Sequence, residues 1–272
     1  MTIGYLYDLT VSIYAACVCC YFIDFLQTNR KAHRFAFWLL SIVWLFQGLI
    51  FYFKFRMTGE FPILTPLDGL FFVSWILVTV SIVLNRFFRG DFFVFFANIV
   101  GFIIMAFTLF GPAENTPAIL SSKLLSDLLI IHITIAFIAY GAFTISFILS
   151  MMYLIEYALL KRKKWVRRLF RFGSLSRLEQ ASFLCNLIGV PLLFISLILG
   201  IVRAYTSPVP FSFFDPKVLT SFIILVVYGF YFYIKIGKNV YGKTLVFWNT
   251  VAFLLVMINV FLSGSLTGFH LW

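Results

Sequence analysis

Eight long apolar runs, at roughly 3–26, 35–55, 63–85, 92–111, 126–156, 181–204, 217–236 and 245–267, take up most of the 272 residues and leave only short polar connections. Each run approaches or exceeds the about 20 residues that an α-helix needs to cross a hydrocarbon core about 30 Å thick. Lipid offers no partner to an unpaired backbone N–H or C=O, so segments of this length cross as helices; barrel strands would be shorter and alternate apolar with polar residues. The expected fold class is all-α, a polytopic membrane protein built as a bundle of eight transmembrane helices, with residues 1–272 as a single transmembrane domain. Composition leads the same way. Hydrophobic residues make up 62% of the chain and charged residues 11%, against about 45–50% and about 25% in soluble domains. That excludes a water-soluble fold, a disordered chain and a disulfide scaffold.

The connections carry the charge. Sixteen of the 21 basic residues fall in alternate loops: Arg30, Lys31 and Arg34; Arg86 and Arg89; eight between Lys161 and Arg177; and Lys235, Lys238 and Lys243. The other five are Lys54, Arg56, Lys123, Arg203 and Lys217. By the positive-inside rule the first set is cytoplasmic, which places a multi-pass protein in the cell membrane with both termini extracytoplasmic. The net charge of +11 is thus a topology signal, and no nucleic-acid partner is expected. Asp8 and the lack of a basic segment before the first run mark that run as a retained helix. The stretch from Lys161 to Arg171 mixes seven basic residues with Trp165, Leu169 and Phe170, the make-up of an amphipathic segment on anionic membrane lipids; a docking surface for a cytosolic protein or RNA is the alternative.

The three histidines are the most informative polar residues. His33, in the first basic loop, needs no explanation beyond solvation. His132 sits inside the fifth run, about 9 Å below its outward end at about 1.5 Å per residue, and an ionisable residue within a span marks a candidate site. His270 follows the eighth run, which crosses outward and brings it to the same leaflet. Two imidazoles from separate helices can hold a haem iron from both sides. A porphyrin supplies four further nitrogens, whereas a protein-only zinc or copper site would need more ligands than two histidines provide. The aromatic content suits a flat apolar ligand, and Arg203, Lys217, Lys123, Lys54 and Arg56 are the cations available to propionates, with Arg203 and Lys217 the choices. At this level bis-histidine haem, simple packing of neutral imidazoles and a zinc or copper site all stand open.

Other chemistry finds little footing. The sequence has no serine or cysteine nucleophile with a base and no glycine-rich phosphate loop, so no catalytic residues and no enzymatic activity are expected. Asp8, Asp24, Asp68, Asp127 and Glu156 lie near run ends, where carboxylates reach water. Cys17, Cys19, Cys20 and Cys185 read as small buried hydrophobes. Gly264 and Gly268 make one G-x-x-x-G spacing that permits close helix approach.

Several stretches together resemble the cytochrome c assembly family of haem-handling membrane proteins, and within it a short eight-helix branch. They are His132 with Ala136, Tyr140 and Phe143; Gly173-Ser-Leu-Ser-Arg-Leu-Glu-Gln-Ala-Ser182 leading to Ile188-Gly-Val-Pro-Leu-Leu193 and Leu199-Gly200; Phe214-Asp-Pro-Lys217; and Leu262-Ser-Gly264 with His270. In larger members of that family a tryptophan-rich external loop ending in Trp-Asp-Pro-Lys lies between two haem-ligating histidines. The resemblance therefore implies haem b held non-covalently, with His132 and His270 as iron ligands and Asp215, Pro216 and Lys217 at the loop end. Phe213 and Phe214 replace the tryptophans and the loop is short, a departure that bears on presenting haem to an apocytochrome and not on binding it. The short branch is implicated in haem biosynthesis, as a regulator of the amount of glutamyl-tRNA reductase. Haem handling for cytochrome c maturation and a cofactor-free scaffold are the other implied or remaining roles.

Overall fold

The computed structural model describes residues 3–59, 61–63, 65–87, 91–110, 127–161, 174–205 and 215–262. They form eight helices: α1 (Ile3–Gln27), α2 (Arg30–Thr58), α3 (Pro66–Phe87), α4 (Asp91–Phe110), α5 (Asp127–Lys161), α6 (Leu175–Tyr205), α7 (Pro216–Phe232) and α8 (Lys243–Leu262). Seven of them are long and apolar enough to cross a membrane, and the shorter apolar stretch Phe92–Thr108 within α4 is the eighth. The protein is an all-helical, multi-pass membrane protein.

Helix starts and stops follow from local chemistry more than from where the apolar runs begin. Helix α2 starts five residues ahead of its run because Asn29 caps it, its side chain accepting from the backbone N–H of Lys31 at 3.0 Å and of Ala32 at 3.3 Å. The same helix ends at Gly59, whose φ of 68° lets its N–H turn back to the Phe55 carbonyl; glycine takes that left-handed conformation without penalty. Asp215 caps α7, accepting from the Lys217 N–H at 2.9 Å, and Pro216 takes the first helical position, where a missing N–H costs nothing. Helix α7 runs on into one π-helical turn, Tyr233–Gly237.

The chain divides into two compact units, Met1–Asn115 and Thr116–Trp272. In the first, α1 packs on α2, α2 on α3, α3 on α4, and α4 closes the ring onto α1. Its core holds Tyr14, Cys17 and Tyr21 of α1 against Leu40 and Val43 of α2, Phe71 of α3 and Met105 of α4. Tyr14 donates to Asn98 Oδ1 at 3.0 Å, and its hydroxyl occupies the space that a side chain at position 101 would fill. The Cys17 thiol donates to the Ala36 carbonyl at 3.3 Å, and all four cysteines are free, as small apolar side chains rather than a disulfide set.

Two expectations fail in this unit. His33 is not a solvated loop residue: it belongs to the first turns of α2, with Nδ1 3.1 Å from Asp24 Oδ2 and Nε2 2.9 Å from Asn85 Oδ1. Asp24 is correspondingly buried, at 5% exposure. The two-residue turn Thr28-Asn29 folds α2 so tightly against α1 that His33 faces Asp24. Lys54 pairs with Asp68 and lies over the Tyr7 ring at 5.7 Å.

In the second unit α5 packs on α6 and α8, α7 on α8, and α6 on α7, again a closed ring. Helix α5 has 35 residues, about 52 Å at about 1.5 Å each, which exceeds a bilayer core. Glu156, expected near a helix end, therefore lies inside α5 and is buried, at 5% exposure. Helices α5 and α6 are antiparallel, His132 meeting Ser196, and Ser146 meeting Ser182. Phe143 stacks on Tyr228 of α7 at 4.4 Å with its other face against Gly189, where an added Cβ would meet the ring at 2.8 Å. Polar residues lock this ring of helices. Asn249 Nδ2 of α8 lies 2.8, 2.7 and 3.0 Å from the hydroxyls of Ser146, Ser150 and Ser182, and its Oδ1 accepts from Asn186 at 2.7 Å. In a lipid-solvated bundle such interhelical bonds fix rotation and register, because a polar group turned to hydrocarbon has no substitute partner.

Candidate functional site

His132 stands in the second turn of α5, half-buried against α6. Its Nδ1 lies 2.6 Å from the carbonyl oxygen of Ser196 and 3.0 Å from the Ser196 hydroxyl. That hydroxyl donates to the carbonyl oxygen of His132 itself at 3.0 Å, so its proton is committed elsewhere. Two oxygens close to one ring nitrogen attract only if that nitrogen carries the hydrogen; Nδ1 is thus the donor, and the Nε2 lone pair is the ring's remaining coordinating atom. Nε2 makes no hydrogen bond among the described residues. The ring packs on Gly200, where an added Cβ would come within 2.7 Å of Cε1.

The same end of this unit gathers the predicted cations. Arg203 lies on α6 one turn beyond Gly200, and Lys217 lies in the first turn of α7. The start of α7 is held by Asn259 of α8, fully buried, whose Nδ2 lies 2.6 Å from the Thr220 hydroxyl, 3.1 Å from that of Ser221 and 3.2 Å from the Lys217 carbonyl oxygen, acceptors that share its two N–H groups. Tyr140 of α5 closes this network by donating to Asn259 Oδ1 at 2.9 Å. The structure thus brings His132, Arg203 and Lys217 to one end of a four-helix ring. His270, Lys123, the Gly264 and Gly268 pair and the basic stretch after Lys161 lie outside the described residues. Among the described residues no group of three or more His, Cys, Asp or Glu side chains could hold a metal ion, so His132 can serve a metal only with donors from elsewhere. A porphyrin provides such donors, and an imidazole with Nδ1 engaged and Nε2 open fits its iron.

Ser196, Asn259 and the role of Gly200 escaped the sequence reading. For Ser196 and Gly200 the spacing was visible, a serine and a glycine four residues apart and so on one helical face, but not the direction in which that face points. Much of the quoted motif also has a packing role. Gly189 admits Phe143, Ser182 joins the Asn249 cluster, and Glu179 accepts from the Gly242 N–H at 2.8 Å while pairing with Lys235.

Eight apolar helices, with an intramembrane imidazole held between two of them, describe a polytopic helical membrane protein. The cytochrome C assembly protein family model matches residues 63–270, and the chain belongs to that family. It is 49% identical over 261 residues to Protein HemX of Bacillus subtilis (strain 168), covering 96% of this chain and 95% of that protein. To Protein HemX of Brevibacillus brevis it is 41% identical over 270 residues, 99% and 98% of the two chains. A more distant similarity, 26% over 251 residues and 84% and 81% of the two chains, links it to the cytochrome c biogenesis protein CcsA of Prochlorococcus marinus (strain MIT 9301).

Proposed function

We propose that this HemX-type membrane protein binds haem b non-covalently through His132 and His270, and acts as a regulator in haem biosynthesis by modulating the amount of glutamyl-tRNA reductase. The observation that carries the reading is the state of His132: its Nδ1 is spent on Ser196, and Nε2 is left as a ligand atom at the end of the bundle where α6 carries Arg203 and α7 carries Lys217, cations that can neutralise propionates. The bound haem would supply an iron whose ligation reports on haem supply. The chain's own residues do the rest. His132 and His270 ligate, the apolar helices shield the ring, and the cations orient it. With the site and both termini extracytoplasmic, as the loop charges favour, the signal crosses through the helix bundle to the cytoplasmic loops, by a difference in haem affinity between two bundle states. The similarity to CcsA supports a second reading, haem handling for cytochrome c maturation.

The test is the visible spectrum of the purified protein with and without added haem. Wild type shows a low-spin six-coordinate haem, and His132→Ala and His270→Ala each lose it. A colourless protein that takes up no haem overturns the proposal. Regulation is read separately, as the reductase level in cells carrying each variant; levels equal to wild type refute the regulatory part.

A further inference from the structure

We infer that Ser196 and Gly200 form a notch in α6 that fixes the tautomer of His132 and presents Nε2 alone as the coordinating atom; both are positioning residues for the ligand, an inference that rests on the haem reading above. Inside an α-helix the carbonyl of residue i already accepts from the N–H of residue i+4, and because side chains tilt toward the helix N-terminus, the side chain at i+4 covers that carbonyl from the side. At Ser196 the covering position is Gly200. With no side chain there, the second lone pair of the Ser196 carbonyl stands open to a donor from a neighbouring helix. His132 uses the opening: Nδ1 reaches the carbonyl at 2.6 Å, and the ring occupies the space where a Cβ would lie 2.7 Å from Cε1 and 3.1 Å from Nδ1.

The Ser196 hydroxyl completes the clamp. Serine in a helix commonly bonds back to its own helix, but this one reaches across and donates to the backbone carbonyl of His132 at 3.0 Å. Ring and backbone of the same residue are thereby tied to one turn of α6. The partner of Nδ1 is a neutral carbonyl rather than a carboxylate, which leaves the ligand an imidazole with little imidazolate character and raises the potential of an iron bound to Nε2 relative to a carboxylate-paired histidine. Gly189 offers an internal contrast: an added Cβ there would come about as close, 2.8 Å, but to the apolar ring of Phe143.

The experiment uses the full chain in nanodiscs with 15N-labelled histidine. Without haem, the nitrogen signals of His132, assigned by its loss in His132→Ala, show the Nδ1-protonated tautomer in wild type and in Gly189→Ala. Gly200→Ala shifts His132 to the other tautomer or a mixture, and Ser196→Ala broadens the signal while leaving the tautomer in place. With haem, Gly200→Ala weakens binding about 10–100-fold, the usual cost of losing such a hydrogen-bond partner, and raises the midpoint potential because the unpaired imidazole donates less to the iron, whereas Gly189→Ala leaves both unchanged. An Nε2-protonated His132 in wild type, or a Gly200→Ala protein matching wild type in tautomer and potential, overturns the inference. If wild type has the stated tautomer but takes up no haem, the haem reading fails and the inference, as a statement about a ligand, falls with it. The two failures are read on different signals.

Discussion

Replacing Asn249 by leucine puts the polar lock of the second unit to a quantitative test. The substitution keeps side-chain bulk and removes an amide that faces three serine hydroxyls and Asn186. The serines lose little, because Ser146 and Ser150 each already lie within 3.0 Å of the Ser182 hydroxyl and can satisfy one another. At about 0.6 kcal/mol for an average interhelical bond in a membrane protein, their share is small. Asn186 is different: it is fully buried, and its Nδ2 loses the Asn249 oxygen that accepts from it at 2.7 Å, a desolvation penalty of about 1–3 kcal/mol. The expected loss is about 2–3 kcal/mol. Adding Asn186→Leu removes the stranded amide, so the double variant should recover part of the loss, with a coupling of about 1 kcal/mol in the cycle. Unfolding of the full chain by SDS titration in mixed micelles, followed by circular dichroism, reads all four proteins. Strictly additive costs, or an Asn249→Leu protein within about 0.5 kcal/mol of wild type, would refute the reasoning.

Two further perturbations probe the ends of the bundles. Glu179→Ala removes both the partner of Lys235 and the acceptor for the Gly242 N–H; because Lys235 keeps the Tyr241 ring at 4.0 Å, the cost should sit near about 3 kcal/mol, the low end for breaking a buried pair. The same SDS titration checks it, together with faster proteolysis in the connection from Lys238 to Gly242; unchanged cleavage and midpoint count against it. In the first unit, Asp24→Leu strands the Nδ1 of His33 and should cost about 1–3 kcal/mol, and Asp24→Leu combined with His33→Leu should cost less than Asp24→Leu alone. A thermal melt in detergent showing no change in Tm would return His33 to the solvated role that its sequence neighbours imply.

The fold class was legible because it depends on one quantity, the length of apolar runs, which lipid converts directly into helices. Helix ends were less so, since Asn29 and Asp215 act through single hydrogen bonds that hydropathy does not register. His132 was legible as a cost: an ionisable group in a span calls for a reason. Its partner was not, because nothing in a linear sequence gives the rotation of α6 about its axis, and only that rotation turns Ser196 and Gly200 toward α5. The same gap hid the Asn249 cluster, whose serines look like tolerated polar residues until three helices bring them together. Asp24 and Glu156 were misjudged because nearness to the end of an apolar run was equated with nearness to water.

Helix α8 contributes both asparagines, Asn249 and Asn259, on which the polar contacts of the second unit converge. During synthesis the ribosome delivers that helix after the seven described helices that precede it. Until it arrives, the Tyr140 hydroxyl and the Asn186 amide lack the side-chain oxygens that accept from them, and the nascent unit carries two polar groups without their α8 partners. The first unit closes as soon as α4 is inserted. A chain stalled before Lys243 would therefore combine one finished bundle with one that quality-control proteases can recognise as incomplete.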